Sequence, residues 1–211
     1  MTNELLNYIL KVEGDYLHRN STEADITSPG GVYRAVHPDA NIWSYIDSVG
    51  ASLDKDKDSS MWSASDIHDV NDALDETQIG LLVKDFYNDY LFGAHLDLFD
   101  PMLQIAMFNL YTNSQTGAWK SVQQTIIDMK KMGYLTMPDS DISKVDGGYG
   151  DKTKRGLQAV DALPDDQVTI YKITMISNMK TYYAKLVAGN PDKFLVYLVG
   201  WMNRMDNLEV A

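Results

Sequence analysis

The amino-acid sequence predicts an all-α fold with at most one small β-hairpin. Apolar residues recur every three or four positions in most segments that are long enough to form a helix or a strand. No convincing run alternates apolar and polar residues, as the strands of a half-exposed sheet would. Capping and turn-forming residues separate the periodic segments, so we expect a set of helices joined by loops.

The first predicted helix runs from residue 2 to residue 12. Its apolar residues fall on one face, Thr2 or Asn3 can cap its amino end, and Gly14 is a natural stop. The segment lacks the basic start of a signal peptide, so we expect no such peptide. Since no run of about 18 apolar residues follows anywhere in the chain, we also expect no membrane insertion.

The remaining elements follow from the same reasoning. Residues 18–40 are rich in turn formers, and Ser28-Pro29-Gly30-Gly31 must turn sharply, with a short extended segment after it. Asp100 and Pro101 mark a helix start, because Asp caps the helix and Pro fits its first position. Residues 102–111 are almost wholly apolar, which is typical of a central buried helix. Helices are predicted at residues 41–49, 62–73, 77–90, 100–111, 117–131, 151–163, 165–189 and 191–208.

Composition and charge exclude several classes of function. The 211 residues, 45% of them hydrophobic, suit one large domain or a catalytic domain with a small second module. The absence of cysteine excludes thiol nucleophiles, disulfides and Cys-based zinc sites. A formal net charge of −12 repels nucleic acid, so no nucleic-acid partner is expected. The same charge disfavours contact with an anionic cell wall.

Glu13 is the residue that the sequence singles out as a candidate acid. It lies at the predicted carboxyl end of the first helix, next to Val12 and just before Gly14. The helix dipole and apolar neighbours both disfavour a charged carboxylate there, which predicts a raised pKa. A glycosidase needs such an acid to protonate the leaving oxygen. From position alone, a solvated residue at a helix end is the favoured interpretation.

Two short segments carry a resemblance to a known family. The segment Val12-Glu13-Gly14-Asp15-Tyr16 resembles the Glu-Gly-Gly-Tyr signature of glycoside hydrolase family 108, with Asp15 in place of the second glycine. This family comprises N-acetylmuramidases of phage endolysins and secretion-linked lysozymes. The segment Ser28-Pro29-Gly30-Gly31 is similar to the family's Pro-Gly-Gly turn, with Ser28 in place of the preceding Asp. The resemblance implies that Glu13 is the catalytic acid.

Three later segments extend the resemblance in the family's order. Residues 106–124 resemble its central helix, residues 146–153 its Asp-Gly-x-x-Gly-x-x-Thr motif, and residues 182–204 its last two helices. The resemblance implies a lysozyme-like arrangement of the helices. It further implies a muramidase region at residues 1–132 and a helical peptidoglycan-binding module at residues 133–211.

The resemblance also implies a reaction and its partners. We expect hydrolysis of the β-1,4 bond between N-acetylmuramic acid and N-acetylglucosamine in peptidoglycan glycan strands, by a monomer without a cofactor. Asp25 is the candidate second carboxylate, on a loop that could fold back over the helix end. The candidate substrate-binding residues are Tyr16, Thr27, Tyr33 and Asn113. We expect synthesis in a host cytoplasm and action on the wall, at the periplasmic or extracellular side, after release.

Other interpretations remain open. The altered signature and the net charge also fit a cell-wall-binding or phage structural protein that has lost catalysis, and a lytic transglycosylase needs only one carboxyl group. Asp54, Asp56 and Asp58 have the spacing of a calcium loop, but Ser59 and Ser65 replace its essential Gly and Glu. The four histidines lack metal-ligand spacing, so no metal site is predicted.

Overall fold

The computed structural model describes residues 1–19, 26–138 and 144–208. The chain forms two compact units, Met1–Gly93 and Ala94–Ala211. The predicted boundary between residues 132 and 133 lies inside the second unit, and the roles assigned to the two regions stay predictions. Among the described residues, none of the helices combines the length and the apolar character that crossing a membrane requires.

The first unit contains four α-helices and one small sheet within its described residues. Strands β1 and β2 are antiparallel, with His18 opposite Thr27 and Arg19 opposite Ile26. Short 3₁₀ turns lie at Pro29–Gly31, at Ser59–Met61 and, at the unit boundary, at Phe92–Ala94. The regular elements are α1 (Asn3–Glu13), β1 (His18–Arg19), β2 (Ile26–Thr27), α2 (Asn41–Ser52), α3 (Ala64–Ala73) and α4 (Glu76–Tyr90).

All regular elements in the described part of the second unit are helices. It begins with a 3₁₀ turn at Leu96–Leu98, and its elements are α5 (Pro101–Asn113), α6 (Gln115–Lys131), α7 (Asp151–Asp161), α8 (Asp165–Gly189) and α9 (Pro191–Asp206). The predicted mainly α-helical fold with one small hairpin is therefore confirmed. The lysozyme-like arrangement of these helices stays a prediction.

Helix α1 forms as the sequence predicts. The Thr2 hydroxyl accepts a hydrogen bond from the Leu5 amide at 3.3 Å, and this satisfies one of the free N–H groups of the first turn. Leu5 and Ile9 are fully buried and fix the inner face of the helix. Gly14 ends the helix with a φ of 95°, a backbone conformation that residues with a Cβ rarely adopt.

Capping residues explain two helix starts that differ from the prediction. Helix α3 begins at Ala64, because the Ser63 side chain and Asp66 form a reciprocal capping box. Helix α6 begins at Gln115 rather than at Gly117, because the Ser114 hydroxyl accepts the Gly117 amide at 3.1 Å. Hydrophobic periodicity locates a helix body, whereas the hydrogen-bonded cap decides its first residue.

Buried Gln123 on α6 anchors the glycine-rich segment of residues 146–153. Its side-chain nitrogen donates to Asp146 Oδ1 at 2.7 Å, to the Gly148 carbonyl at 2.9 Å and to Thr153 Oγ1 at 3.2 Å. Its side-chain oxygen accepts the Gly147 amide at 2.8 Å. The Gly148 amide and then the Gln123 side chain hold the pKa of Asp146 below its usual value. This motif is therefore part of the packing of the second unit.

Replacing Gln123 should destabilise the protein far more than replacing its neighbour. We expect Gln123→Leu to lower the free energy of unfolding by about 2–4 kcal/mol, because a buried, multiply bonded amide is lost. The matched control is Gln124→Leu, which removes one bond within the helix, to Asp128 at 2.8 Å, and should cost about 0.5 kcal/mol or less. Urea unfolding followed by circular dichroism measures both, and equal losses would contradict the anchoring role.

Candidate active site

Glu13 is the last residue of α1 and is half-buried. Among the residues that the structure describes, none donates a hydrogen bond to its carboxylate. A half-buried carboxylate without such a donor can direct its oxygen at a bound molecule. The position is therefore suited to proton transfer with a substrate.

The turn at Pro29–Gly31 packs directly on Glu13. The Gly30 amide donates to the Gly14 carbonyl at 2.7 Å, which joins the turn to the end of α1. A Cβ on Gly31 would lie 2.8 Å from Glu13 Cβ and 3.1 Å from Glu13 Oε2. Gly30 and Gly31 both have a φ of 77°, so the predicted sharp turn is confirmed. Only residues without a Cβ allow this approach at normal cost.

Helix α4 supports the opposite side of the same turn. The buried Tyr87 hydroxyl donates to the Gly30 carbonyl at 2.8 Å. A Cβ on Gly30 would lie 2.7 Å from Val83 Cγ1, so the turn also packs closely on α4. Burial raises the pKa of Tyr87, and the negative charge of Glu13 raises it further. The phenol is therefore neutral and available as a donor.

A groove of about 1010 Å³ runs past Glu13 in the first unit. Its volume is at the upper end of the range for small-molecule sites, roughly 300–1,000 Å³, which suits an extended ligand such as a glycan. The groove is lined by Asn7, Leu10, Lys11, Val12, Glu13, Gly14, Asp15, Tyr16, His18, Pro29, Asn71, Asp72, Leu74, Glu76 and Ile79. Four of these residues are acidic and one is a lysine, so the groove favours positive charge.

An aromatic pair borders the groove next to Glu13. The Tyr16 side chain is 55% exposed, and its ring centroid lies 5.1 Å from that of His18, with the planes tilted by 52°. The Tyr16 ring also lies against Gly14. Exposed aromatic faces offer sugars an apolar surface beside polar groups. The structure thus brings the predicted substrate residue Tyr16 to the same groove as Glu13.

Asn71 holds the segment that leads from Glu13 into the hairpin. Its side chain accepts the Leu17 amide at 2.7 Å and donates to the Leu17 carbonyl at 2.8 Å. The Arg19 guanidinium donates to the backbone carbonyls of Ser60 at 3.1 Å and Trp62 at 3.2 Å. The hairpin is therefore fixed from two sides. Asn71 was not predicted, because nothing in its local pattern shows that α3 faces residue 17.

The other predicted site residues are less closely tied to the groove. Thr27 pairs with His18 in the sheet and with Tyr33 through an isolated bridge, and neither Thr27 nor Tyr33 is among the described residues that line the groove. Asn113 belongs to the second unit, where its side-chain amide donates to the backbone carbonyl of Asn109 at 2.7 Å. Asp25 lies outside the described residues. The roles of all four stay predictions.

Three groove carboxylates were not chosen as catalytic groups from the sequence. Asp15 follows the signature and is exposed, Asp72 lies on α3, and Glu76 lies in the first turn of α4. Asp72 and Glu76 were not predicted as site residues, because helical periodicity does not show which helix ends meet. They add candidates for the second carboxylate beside Asp25.

The acidic loop around Asp54–Asp58 uses its side chains to form local turns. Asp56 Oδ1 accepts the Asp58 amide at 2.9 Å, and Asp58 Oδ1 accepts the Ser60 amide at 3.0 Å. Hydrogen bonds from Ser60 lower the pKa of Asp58. Lys55 forms ion pairs with α3, at 2.9 Å to Asp66 and 2.6 Å to Asp69. Across residues 1–19, 26–138 and 144–208, no group of three acidic or histidine side chains could hold a metal ion.

Comparisons with known proteins identify no relative of this chain. A scan against protein-family models found no match, and searches among curated proteins and among solved structures found none either. The resemblance to glycoside hydrolase family 108 therefore rests on the short segments described above. Function has to be argued from the groove and its residues.

Adding a methyl group to Gly30 should destabilise the turn through Val83. We expect Gly30→Ala to lower the free energy of unfolding by about 2–4 kcal/mol, from backbone strain and overpacking. Gly133→Ala is the matched control, because Gly133 has a φ of 83° but nothing within 4 Å of the added Cβ, and it should cost about 1 kcal/mol.

A double-mutant cycle tests the same contact. Combining Gly30→Ala with Val83→Ala should recover part of the loss relative to the sum of the single variants, because the smaller side chain makes room for the new methyl group. Thermal or urea unfolding gives all four stabilities. Strict additivity would show that Val83 does not restrict the turn.

Proposed function

We propose that this protein is a peptidoglycan hydrolase, an N-acetylmuramidase that uses Glu13 as its general acid. The observation that carries the proposal is the placement of the half-buried Glu13 carboxylate at a groove of about 1010 Å³, packed against Gly31 and beside exposed Tyr16. The bond cleaved is the β-1,4 bond between N-acetylmuramic acid and N-acetylglucosamine. The resemblance of residues 12–16 and 28–31 to family 108 supports this substrate class.

The reaction proposed for Glu13 is proton donation to the glycosidic oxygen. As the bond from the anomeric carbon to that oxygen breaks, the oxygen keeps the electron pair and takes the Glu13 proton, and positive charge develops on the sugar ring. Water then adds to the anomeric carbon, and the proton that it loses passes through the second carboxylate or solvent and restores the acid form of Glu13. The acidic groove supports this chemistry, because carboxylates favour the developing positive charge. No cofactor is needed for any of these steps.

A second carboxylate would orient water or stabilise the sugar cation. Asp25 is the candidate from the sequence, and Asp15, Asp72 and Glu76 border the groove. In retaining glycosidases the two carboxyl groups lie about 5 Å apart, and in inverting ones about 6.5–9.5 Å apart. NMR of the released sugar would show which anomer forms first and therefore the stereochemical course. The same measurement on Asp→Asn and Glu→Gln variants would assign the second carboxylate.

The proposed setting follows from the substrate. The partner is the glycan strand of bacterial peptidoglycan, which the protein would meet at the periplasmic or extracellular side of a cell after release from a host cytoplasm. Tyr16 would contact a sugar ring in the groove. Thr27, Tyr33 and Asn113 are proposed as further substrate contacts, and the protein is proposed to act as a monomer.

A lytic transglycosylase is the second candidate function. Such an enzyme needs one carboxyl group as acid and then as base, and it releases anhydro-muramic ends without water. The observation that favours it is that Glu13 is the one carboxylate, among those of the described residues in the groove, that a Cβ on Gly31 would meet. The identity of the product separates the two activities.

Substituting Glu13 tests the proposal directly. We expect wild type to release fragments with reducing N-acetylmuramic ends from purified peptidoglycan, and Glu13→Gln to be slower by about 10²–10⁴-fold, since proton donation is lost. Mass spectrometry of the released muropeptides measures both. The matched control is Glu4→Gln, the same change at an exposed position of α1, which should retain the wild-type rate.

Each other outcome has a defined meaning. Anhydro ends from wild type would move the assignment to a transglycosylase. Equal rates for wild type and Glu13→Gln would remove Glu13 as the acid. A folded wild type that releases no products from several kinds of wall would favour a cell-wall-binding or structural protein.

Gly31 should be needed for activity because of its contact with Glu13. We expect Gly31→Ala to lower the rate by about 10–100-fold, since the new Cβ would lie 2.8 Å from Glu13 Cβ and would displace the acid. Gly133→Ala again provides the matched control for backbone strain at a positive φ, because its added Cβ meets no atom within 4 Å. If the loss of activity in Gly31→Ala and in Gly133→Ala only follows the loss of folding stability, the contact between Gly31 and Glu13 does not position the acid.

A further inference from the structure

Three contacts form a continuous connection from α4 to the Glu13 side chain. The Tyr87 hydroxyl donates to the Gly30 carbonyl at 2.8 Å, and the Gly30 amide donates to the Gly14 carbonyl at 2.7 Å. The next residue, Gly31, approaches Glu13 so closely that a Cβ would lie 2.8 Å from Glu13 Cβ. Both polar groups of the Gly30 backbone are thus bonded, one to each neighbouring helix.

The turn needs external support to keep this geometry. Gly30 and Gly31 are adjacent and both have a φ of 77°, and glycine has more accessible backbone conformations than any other residue. Within the turn, the Ser28 amide donates to the Val32 carbonyl at 3.0 Å, and the Gly31 amide donates to the Ser28 carbonyl at 3.1 Å. Neither bond involves the Gly30 carbonyl, which Tyr87 holds from α4.

We propose that Tyr87 is a positioning residue for the general acid, acting through the Gly30 carbonyl and the contact of Gly31 with Glu13. The inference rests on the proposed function of Glu13. Because Tyr87 lies behind the turn and is buried, it orients the acid without touching the substrate. Its role is to restrict the Glu13 side chain to one orientation over the groove.

The electrostatics of Tyr87 suit this role. Burial raises its pKa, and the charges of Glu13 and Tyr90 raise it further. A neutral phenol keeps its proton and can donate to Gly30 at any pH at which an enzyme of this kind would work. Phenylalanine preserves the shape of the ring and its edge-to-face contacts with Phe86 at 5.0 Å and Tyr90 at 6.1 Å, and removes the hydroxyl that donates to Gly30.

The test is Tyr87→Phe assayed on soluble peptidoglycan glycan fragments, well below the unfolding temperature. We expect kcat to fall by about 10–100-fold while KM stays within about twofold, because a misplaced acid slows chemistry and leaves binding intact. Hydrogen exchange of the Gly30 amide should become at least about 10-fold faster, since its turn is less restricted. A substitution that only reduces the folded fraction would accelerate the exchange of many amides and not that of the Gly30 amide selectively.

Tyr171→Phe is the matched control. Tyr171 is also a buried tyrosine, in the second unit, and its hydroxyl has no hydrogen-bond partner among the residues that the structure describes. The same chemical change there should leave kcat, KM and Gly30 exchange at their wild-type values. An equal fall in kcat for both variants would show a general effect of the substitution and would overturn the positioning role.

The remaining outcomes separate this inference from the proposed function. Wild-type kcat in Tyr87→Phe, a rise in KM alone, or unchanged Gly30 exchange would each overturn the role of Tyr87 while leaving Glu13 as the acid. If wild type itself is inactive, the proposed function fails. In that case, the carbon-13 NMR signal of the Glu13 carboxyl group tests whether Tyr87 affects the orientation of Glu13. We expect this signal to shift or broaden in Tyr87→Phe. An unchanged signal would overturn the inferred connection from Tyr87 to Glu13.

Discussion

The first unit depends on a backbone approach that only glycine permits. The Pro29–Gly31 turn lies between the end of α1 and the side of α4, where a Cβ on Gly30 would meet Val83 and a Cβ on Gly31 would meet Glu13. Glycine loses more conformational entropy on folding than other residues do. The contacts that the two adjacent glycines allow must therefore offset this entropy loss. Those contacts fix one wall of the groove.

The same unit shows how a loop acquires a defined shape from the helices around it. Within the described residues, the two strands contain two residues each, and a two-stranded hairpin is at best marginally stable by itself in water. Asn71 on α3 bonds both backbone groups of Leu17, and Arg19 bonds carbonyls at the Ser59–Met61 turn. The groove residues Tyr16 and His18 therefore lie on a segment that α3 and the Ser59–Met61 turn hold in place.

Prediction from sequence succeeded where the signal is local. Periodicity located the helix bodies, and glycine chemistry located the turn, because both depend on neighbours in the chain. Helix starts at Ala64 and Gln115 were misplaced, since caps depend on side-chain hydrogen bonds that periodicity does not report. Glu13 and Tyr16 were predicted through a motif, whereas Tyr87 was predicted only as part of the helix at residues 77–90. The hydrogen bond from its hydroxyl to a turn in another part of the chain produces no pattern in the neighbouring sequence.

The acidity of the chain acts differently at short and long range. Four carboxylates among the described residues line the groove, and within a few ångströms their field would favour the positive charge that develops on a sugar in the proposed reaction. The overall charge of −12 instead opposes the approach to an anionic wall. That repulsion extends over a Debye length of about 8 Å at physiological ionic strength and weakens as salt is added. Salt therefore reduces the barrier to encounter more than it reduces the local stabilisation in the groove, which makes an acidic surface compatible with a glycan-cleaving site.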